Sequence, residues 1–345
     1  MDSKNDKPDN QAADDALLSS RRRFVGTVAA GIAAAPALAT AQSGPQSGSQ
    51  AAAPMPLTPP AYPKPPFQRQ KQEWPGLASK MTPRPDHGET TYRGSGRLSG
   101  RRALITGGDS GMGRAAAIAY AREGADVAIN YLPAEEADAK EVVALIRQAG
   151  RKAVAIPGDI RDEAFCKRLV ADAAKQLGGL DILVSNAARQ QSIESILDLS
   201  TAEMDQHFKT NLYAMFWIVK AAVPLMPQGS SIIVTASVQA YDPSPNLLAY
   251  ASTKAAQVAF TKALAKQLAA KGIRVNAVAP GPVWTPLQVT GGQTQENLEK
   301  FGAESPMKRP GQPGELAGAY VNLASSESSF TTGQVYGVTG GAGFP

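Results

Sequence analysis

Tyr250-Ala251-Ser252-Thr253-Lys254 sets a phenol and an ammonium four positions apart in a strongly helical stretch. At that spacing two side chains share one face of a helix. A free phenol has a pKa of about 10 and is a poor base at neutral pH. A cation beside it favours the phenolate and lowers that value. The pair is therefore suited to moving a proton on and off an oxygen. Ser237 stands thirteen positions earlier, just past an apolar run, and offers a hydroxyl that could hold the same oxygen. Alone, Tyr-x-x-x-Lys describes many amphipathic helix surfaces. Its meaning depends on what the chain places around it.

A second signal lies upstream. Thr106-Gly107-Gly108-Asp109-Ser110-Gly111-Met112-Gly113 joins an apolar run to a helical stretch. Glycines let the backbone turn tightly and approach a pyrophosphate, and the helix that follows aims its first N–H groups at the phosphates. Between a strand and a helix, this spacing is a dinucleotide-binding signal. Asn130-Tyr131 closes the next apolar run, where an acidic residue would bond a ribose 2′-hydroxyl and repel a 2′-phosphate. The neutral Asn130 permits that phosphate, so NADP is favoured over NAD. No arginine precedes Gly111 to clamp it; Ser110 is there.

The elements that must hold these groups alternate. Apolar runs at Ala103–Thr106, Val127–Asn130, Ala153–Ile156, Leu180–Val184, Ser231–Thr235, Ile273–Val278 and Gln334–Val338 read as strands. Helical stretches at Arg114–Glu123, Glu135–Ala149, Asp162–Leu177, Thr201–Met226 and Leu248–Lys271 separate them. This order predicts a doubly wound α/β (Rossmann) domain with a seven-stranded parallel sheet, spanning residues 97–345.

In order and spacing, the glycine turn, Asn186, Asn211, Ser237, Tyr250 and Lys254 resemble the short-chain dehydrogenase/reductase family over nearly all of Arg97 to Gly343. The resemblance implies that Gly107, Gly111 and Gly113, with Ser110 and Met112 between them, form the phosphate turn. It implies that Asp159, followed by Ile160, meets the adenine amino group. Asn186-Ala187-Ala188 matches a dinucleotide contact, with Ala188 in place of the family's glycine and Ser185 in place of its asparagine. Pro280, Gly281, Val283 and Thr285 match the segment that touches the nicotinamide carboxamide. Tyr250 becomes the general acid/base, Ser237 the partner of the substrate oxygen, and Lys254 a holder of the nicotinamide ribose. Asn211 organises a water that links the lysine to solvent. The implied reaction interconverts an aldehyde or ketone and an alcohol by hydride transfer, with NADP or NAD as cofactor, in a homotetramer. Asn130–Glu136, Gly291–Gln295 and Pro306–Arg309 further resemble a bacterial aldehyde-reductase and general-stress subgroup. The substrate does not follow from that likeness.

Trp284 either lines the substrate pocket or packs between loop and helix. The polar stretch from Pro286 to Pro306 reads as a mobile substrate lid. A sensor or scaffold that binds the dinucleotide without turnover is the alternative reading, and the presence of both Tyr250 and Lys254 weighs against it.

Composition removes other classes. One cysteine, Cys166, and two histidines, His87 and His207, exclude a cysteine-based zinc site or an intrachain disulfide. The net charge of +5 is scattered, with no basic stripe for nucleic acid. No Gly-x-Ser-x-Gly elbow contains Ser237, which disfavours a serine hydrolase.

The first hundred residues have another character. Arg21-Arg22-Arg23-Phe24, an alanine-rich apolar run and Ala39-Thr40-Ala41 follow the layout of a twin-arginine export signal over residues 1–41. The run is too short for a spanning helix. A periplasmic location is expected, or a cytoplasmic one if the signal is not used. Residues 42–96 are rich in Pro, Gly, Ser and Gln, and no packed core is expected there. They form either a free linker or an arm on the domain, with Phe67 and Trp74 as anchors in the second case.

Overall fold

The computed structural model describes residues 61–343. The expected export signal and the first part of the proline-rich segment lie outside them. Strands β1 (Arg102–Thr106), β2 (Asp126–Tyr131), β3 (Ala153–Pro157), β4 (Ile182–Ser185), β5 (Ser231–Thr235), β6 (Arg274–Pro280) and β7 (Val335–Val338) form one sheet in the order β3-β2-β1-β4-β5-β6-β7. Every pairing is parallel.

The period-two alternation of a strand sorts side chains to the two faces. Ala103, Ile105, Val127, Ile129, Val184 and Ile233 meet α1 (Gly111–Arg122), α2 (Glu136–Gln148) and α8 (Pro313–Ala324) in one core. Leu104, Ala128, Leu183, Ile232 and Val234 meet α3 (Glu163–Leu177), α5 (Ala214–Ala222) and α6 (Leu248–Leu268) in the other. A sheet covered on both faces explains why its strands read as continuous apolar runs. Among the described residues, no helix is long and apolar enough to cross a membrane.

Three features differ from the sequence reading, and one open alternative is resolved. The long helix expected over Thr201–Met226 is α4 (Thr201–Phe208), a π-turn at Lys209–Tyr213 and then α5. A π-turn often marks a functional position, and this one contains Asn211. Helix α8 was not anticipated. Its start has proline at the first position and Glu315 reaching back to the Gln312 N–H at 2.8 Å, a capping pattern readable in hindsight.

The resolved alternative concerns the segment before β1, expected as either a free linker or an arm. Phe67 and Met81 are buried with Trp284, Val289, Leu298 and Phe301 in a third apolar cluster. Residues 61–96 thus lie on the domain as an arm. A few large apolar groups dock an extended segment on an existing patch without a core of its own. Lastly, the stretch expected as a substrate lid holds a π-turn at Gln288–Gly292 and a short helix, α7 (Gln295–Glu299), both pinned beneath that arm.

Candidate active site

The strand order reverses between β1 and β4, which opens a crevice at the carboxyl ends of the strands. The turn from β1 into α1 lines it. A Cβ on Gly113 would stand 1.9 Å from the Gly107 carbonyl oxygen and 2.6 Å from Asn186 Nδ2. Only glycine lets the start of α1 press so closely on the turn. Asn186 fixes this junction: its Nδ2 donates to the carbonyls of Thr106 at 3.1 Å and Gly107 at 3.2 Å, and its Oδ1 accepts from Thr235 Oγ1 at 3.2 Å. Ser110 precedes α1 without a side-chain cap bond, so the first-turn N–H groups stay open to an anion.

The resulting cleft spans about 940 Å³, its open mouth included. Gly107, Ser110, Gly111, Met112, Asn130, Tyr131, Asp159, Ile160, Asn186, Ala187, Ala188, Tyr250, Lys254 and Thr285 all border it. This glycine cradle at a helix N-terminus, opening toward Tyr250, fits an extended dinucleotide. Gly113 packs behind the cradle. Asp159 borders the cleft, but its carboxylate is paired with Arg161 at 2.6 Å, which lowers its pKa despite partial burial.

The end that would meet the adenosine ribose is more acidic than the sequence reading implied. Asn130 spends its Nδ2 on the carbonyls of Ile156 and Gly158, both at 3.1 Å, tying β2 to β3. The Tyr131 hydroxyl donates to Glu136 at 2.7 Å. Two carboxyls that the sequence reading did not single out, Asp109 and Glu135, border the cleft here. Burial pushes both upward, toward the protonated form, helped by Asp138 beside Asp109 and by Asp109 and Asp138 beside Glu135. Arg114 turns away into ion pairs with Glu141 at 2.8 Å and Glu89 at 3.0 Å, and clamps nothing in the cleft.

A second cavity adjoins the first and shares Met112, Tyr250, Thr285 and Leu287 with it. Ser237, Gln190, Pro280, Gly281 and Val283 complete much of its wall. Tyr250 therefore stands where the two spaces meet, with Ser237 beside it on the wall of the second. The Lys254 Nζ donates to the Thr235 carbonyl at 2.7 Å and to Gln257 Oε1 at 3.1 Å, and lies 5.3 Å from the centre of the Tyr250 ring. Spacing alone suggested that the lysine lowers the tyrosine's pKa. In the structure, burial dominates. It pushes Tyr250 up to about 12, with Ser237 opposing, and pushes Lys254 down to about 7. The hydrogen bonds of the Lys254 ammonium go to Thr235 and Gln257.

Asn211 lies behind the cleft wall and is buried. Its side chain accepts from the Arg189 N–H at 2.7 Å and donates to the Arg189 carbonyl at 3.0 Å and to Thr253 Oγ1 at 2.9 Å. Its backbone carbonyl, displaced by the π-turn, accepts from Gln257 Nε2. One buried amide thus bridges the Lys254 ammonium and the Asn211 backbone. Gln257 was missed in the sequence, although a glutamine three residues beyond Lys254 shares its helix face. Trp284 packs instead of lining a cavity: it is 0% exposed, stacks on Phe67 at 4.3 Å and donates Nε1–H to the Pro83 carbonyl at 2.8 Å. Among the described residues, no cluster of three His, Cys, Asp or Glu side chains could hold a metal.

The family profile described as Enoyl-(Acyl carrier protein) reductase matches residues 107–343. The chain is 60% identical over 278 residues to the uncharacterized oxidoreductase YhxD of Bacillus subtilis (strain 168), covering 80% of this chain and 93% of that one. It is 44% identical over 282 residues to NADPH-dependent aldehyde reductase 1, chloroplastic, of Arabidopsis thaliana, covering 80% and 98%. A crystal structure of a short chain dehydrogenase from Burkholderia cenocepacia J2315 in complex with NADP superposes with a TM-score of 0.67 at 34% identity, covering 71% of this chain and 99% of that chain.

Proposed function

The chain belongs to the short-chain dehydrogenase/reductase family and is an oxidoreductase that uses NADP or NAD; from that premise we propose that it interconverts a carbonyl and an alcohol, with Tyr250 as the general acid/base. The observation that carries this reading is the position of Tyr250 at the junction of the dinucleotide cleft and the second cavity, with Ser237 on the wall of the latter. When bound, the nicotinamide supplies or takes up the hydride.

The chain's own residues do the rest. Ser237 and Tyr250 donate hydrogen bonds to the carbonyl oxygen and fix it in the second cavity. With its pKa raised, Tyr250 keeps its proton at neutral pH and can deliver it to the oxygen as negative charge develops there. Donors aimed at that oxygen from a buried, water-poor wall stabilise the charge more than solvent would. Lys254, bonded to Thr235 and Gln257, sets positive charge beside the resulting phenolate. In the oxidative direction the phenolate takes the alcohol proton. An aldehyde as the carbonyl is supported by the name of the Arabidopsis thaliana relative.

Steady-state assays of an aldehyde and ketone panel with NADPH and NADH test the proposal. Oxidation of either dinucleotide in step with alcohol formation is expected. Dinucleotide binding with no turnover on any carbonyl would instead support a silent binder.

Location and assembly are further parts of the proposal. The arginines and Ala39-Thr40-Ala41 of the N-terminal segment support export to the periplasm. Finding only full-length chain in the cytosolic fraction would contradict export. Tyr213 and Phe216, 47% and 42% exposed on the π-turn and α5, supply apolar surface for a homotetramer, which sedimentation would detect.

A further inference from the structure

The arm before β1 crosses the mouth of the dinucleotide cleft. Trp74, Pro75 and Gly76 border the same space as the glycine turn, Asp159 and Lys254. On one side the arm is bonded to α2. Asp138 accepts from the backbone N–H groups of Ala78 at 2.6 Å and Ser79 at 3.4 Å, and Arg84 pairs with Glu141. On the other side it is bonded to the segment that roofs the second cavity. The Gln72 N–H donates to the Val289 carbonyl at 3.0 Å, the Phe67 N–H to the Glu299 carbonyl at 2.8 Å, and Arg69 pairs with Glu299 at 2.9 Å. A Cβ on Gly76 would lie 2.5 Å from Thr290 Cγ2, so the crossing is seated closely on that roof.

Trp74 is the odd member of this span. It is only half-buried, and its ring faces two guanidiniums, Arg161 and Arg189, each 5.4 Å from its centre. Those arginines come from the segments after β3 and β4, where Asp159 and Glu203 hold them at 2.6 and 2.7 Å. A flat aromatic face and two fixed cations at one rim match a ligand that carries both a purine ring and phosphates.

We propose that Trp74, Pro75 and Gly76 are the outer wall of the dinucleotide site, a strap that closes over the bound cofactor and slows its release. The inference rests on the dinucleotide cleft described above. Both ends of the strap are anchored by backbone bonds, so it is preorganised, and little ordering cost is added when the ligand enters. Because it also holds the roof of the second cavity, one element encloses cofactor and substrate together.

The test measures binding without turnover. NADPH and NADH are titrated into the full chain and into Trp74→Ala, Trp74→Phe and Gln72→Ala, and dissociation rates are read by stopped-flow chase. Gln72→Ala removes the bonds from Gln72 to the Leu77 N–H at 2.8 Å and carbonyl at 3.1 Å that shape the crossing, and leaves Trp74 in place. Thermal midpoints close to that of the unsubstituted protein show that each variant is folded.

Losing one aromatic wall is expected to weaken Kd about ten- to hundredfold. The change should fall mainly on the dissociation rate. Trp74→Phe should recover most of the affinity, and Gln72→Ala should speed release. Equal affinity and dissociation rate in all four proteins would overturn the strap and leave the cleft assignment standing. Failure of the unsubstituted protein to bind either dinucleotide would overturn both.

Discussion

Gln257→Leu isolates a contact that the family resemblance did not supply. In the structure the Gln257 amide accepts from the Lys254 Nζ and donates to the Asn211 carbonyl, and all three groups are buried. Leucine fills similar volume and makes neither bond. A hydrogen bond to a charged group contributes about 1.5–3 kcal/mol, and one pKa unit is about 1.36 kcal/mol. Loss of the acceptor should therefore lower the lysine's pKa by about one to two units. Burial already places Lys254 at about 7. At pH 7 the ammonium fraction would fall from roughly half to about one in ten or fewer. The orphaned Asn211 carbonyl adds a stability cost of about 1–3 kcal/mol. The assay is the pH dependence of kcat/KM for carbonyl reduction, with thermal midpoints measured alongside. The limb set by the lysine should move to lower pH by one to two units. Gln257→Glu keeps an acceptor for the ammonium and removes only the donor to Asn211, so it should return that limb to its original position or above. A profile that does not move in Gln257→Leu would refute the reasoning.

The other site groups lead to further expectations. Gly113→Ala drives a Cβ into the Gly107 carbonyl; such overpacking costs about 1–3 kcal/mol, and a sharp loss of NADPH and NADH affinity should appear in titration. Asp109 and Glu135 have raised pKa values, so they are protonated at the acid end and become charged as pH rises. The Kd of NADPH should therefore worsen relative to that of NADH between about pH 6 and 9, since only NADPH carries the 2′-phosphate they would repel. Alcohol oxidation needs the Tyr250 phenolate, and its raised pKa means the rate should still be climbing at pH 10. Initial rates across that range would show it, and a plateau near neutral pH would count against a buried tyrosine base.

The sheet was legible because each strand is buried on both faces and reads as an unbroken apolar run. The glycine turn was legible because only glycine tolerates the approach of Gly107 to Gly113. What escaped the sequence depends on contacts between distant segments. Trp284 left two readings open, and only the docking of Phe67, more than two hundred positions away, shows that it packs. The π-turn at Asn211 breaks a stretch whose helical periodicity is continuous in the sequence. Asp109 and Glu135 are twenty-six positions apart, and only the fold brings them to one cleft. The sign of the Tyr250 shift was also beyond spacing. Four residues bring the lysine near, but burial of the phenol decides the direction of the shift.

The central claim is that the Tyr250 hydroxyl transfers the proton. Tyr250→Phe removes that oxygen and keeps the ring that fills the wall between the two cavities. Single-turnover reduction of an aldehyde accepted by the unsubstituted protein, with the dinucleotide Kd measured in parallel, separates chemistry from binding. General acid catalysis contributes about 10²–10⁴-fold, so the account predicts a rate loss of that order with Kd nearly unchanged. Full turnover in Tyr250→Phe would contradict it.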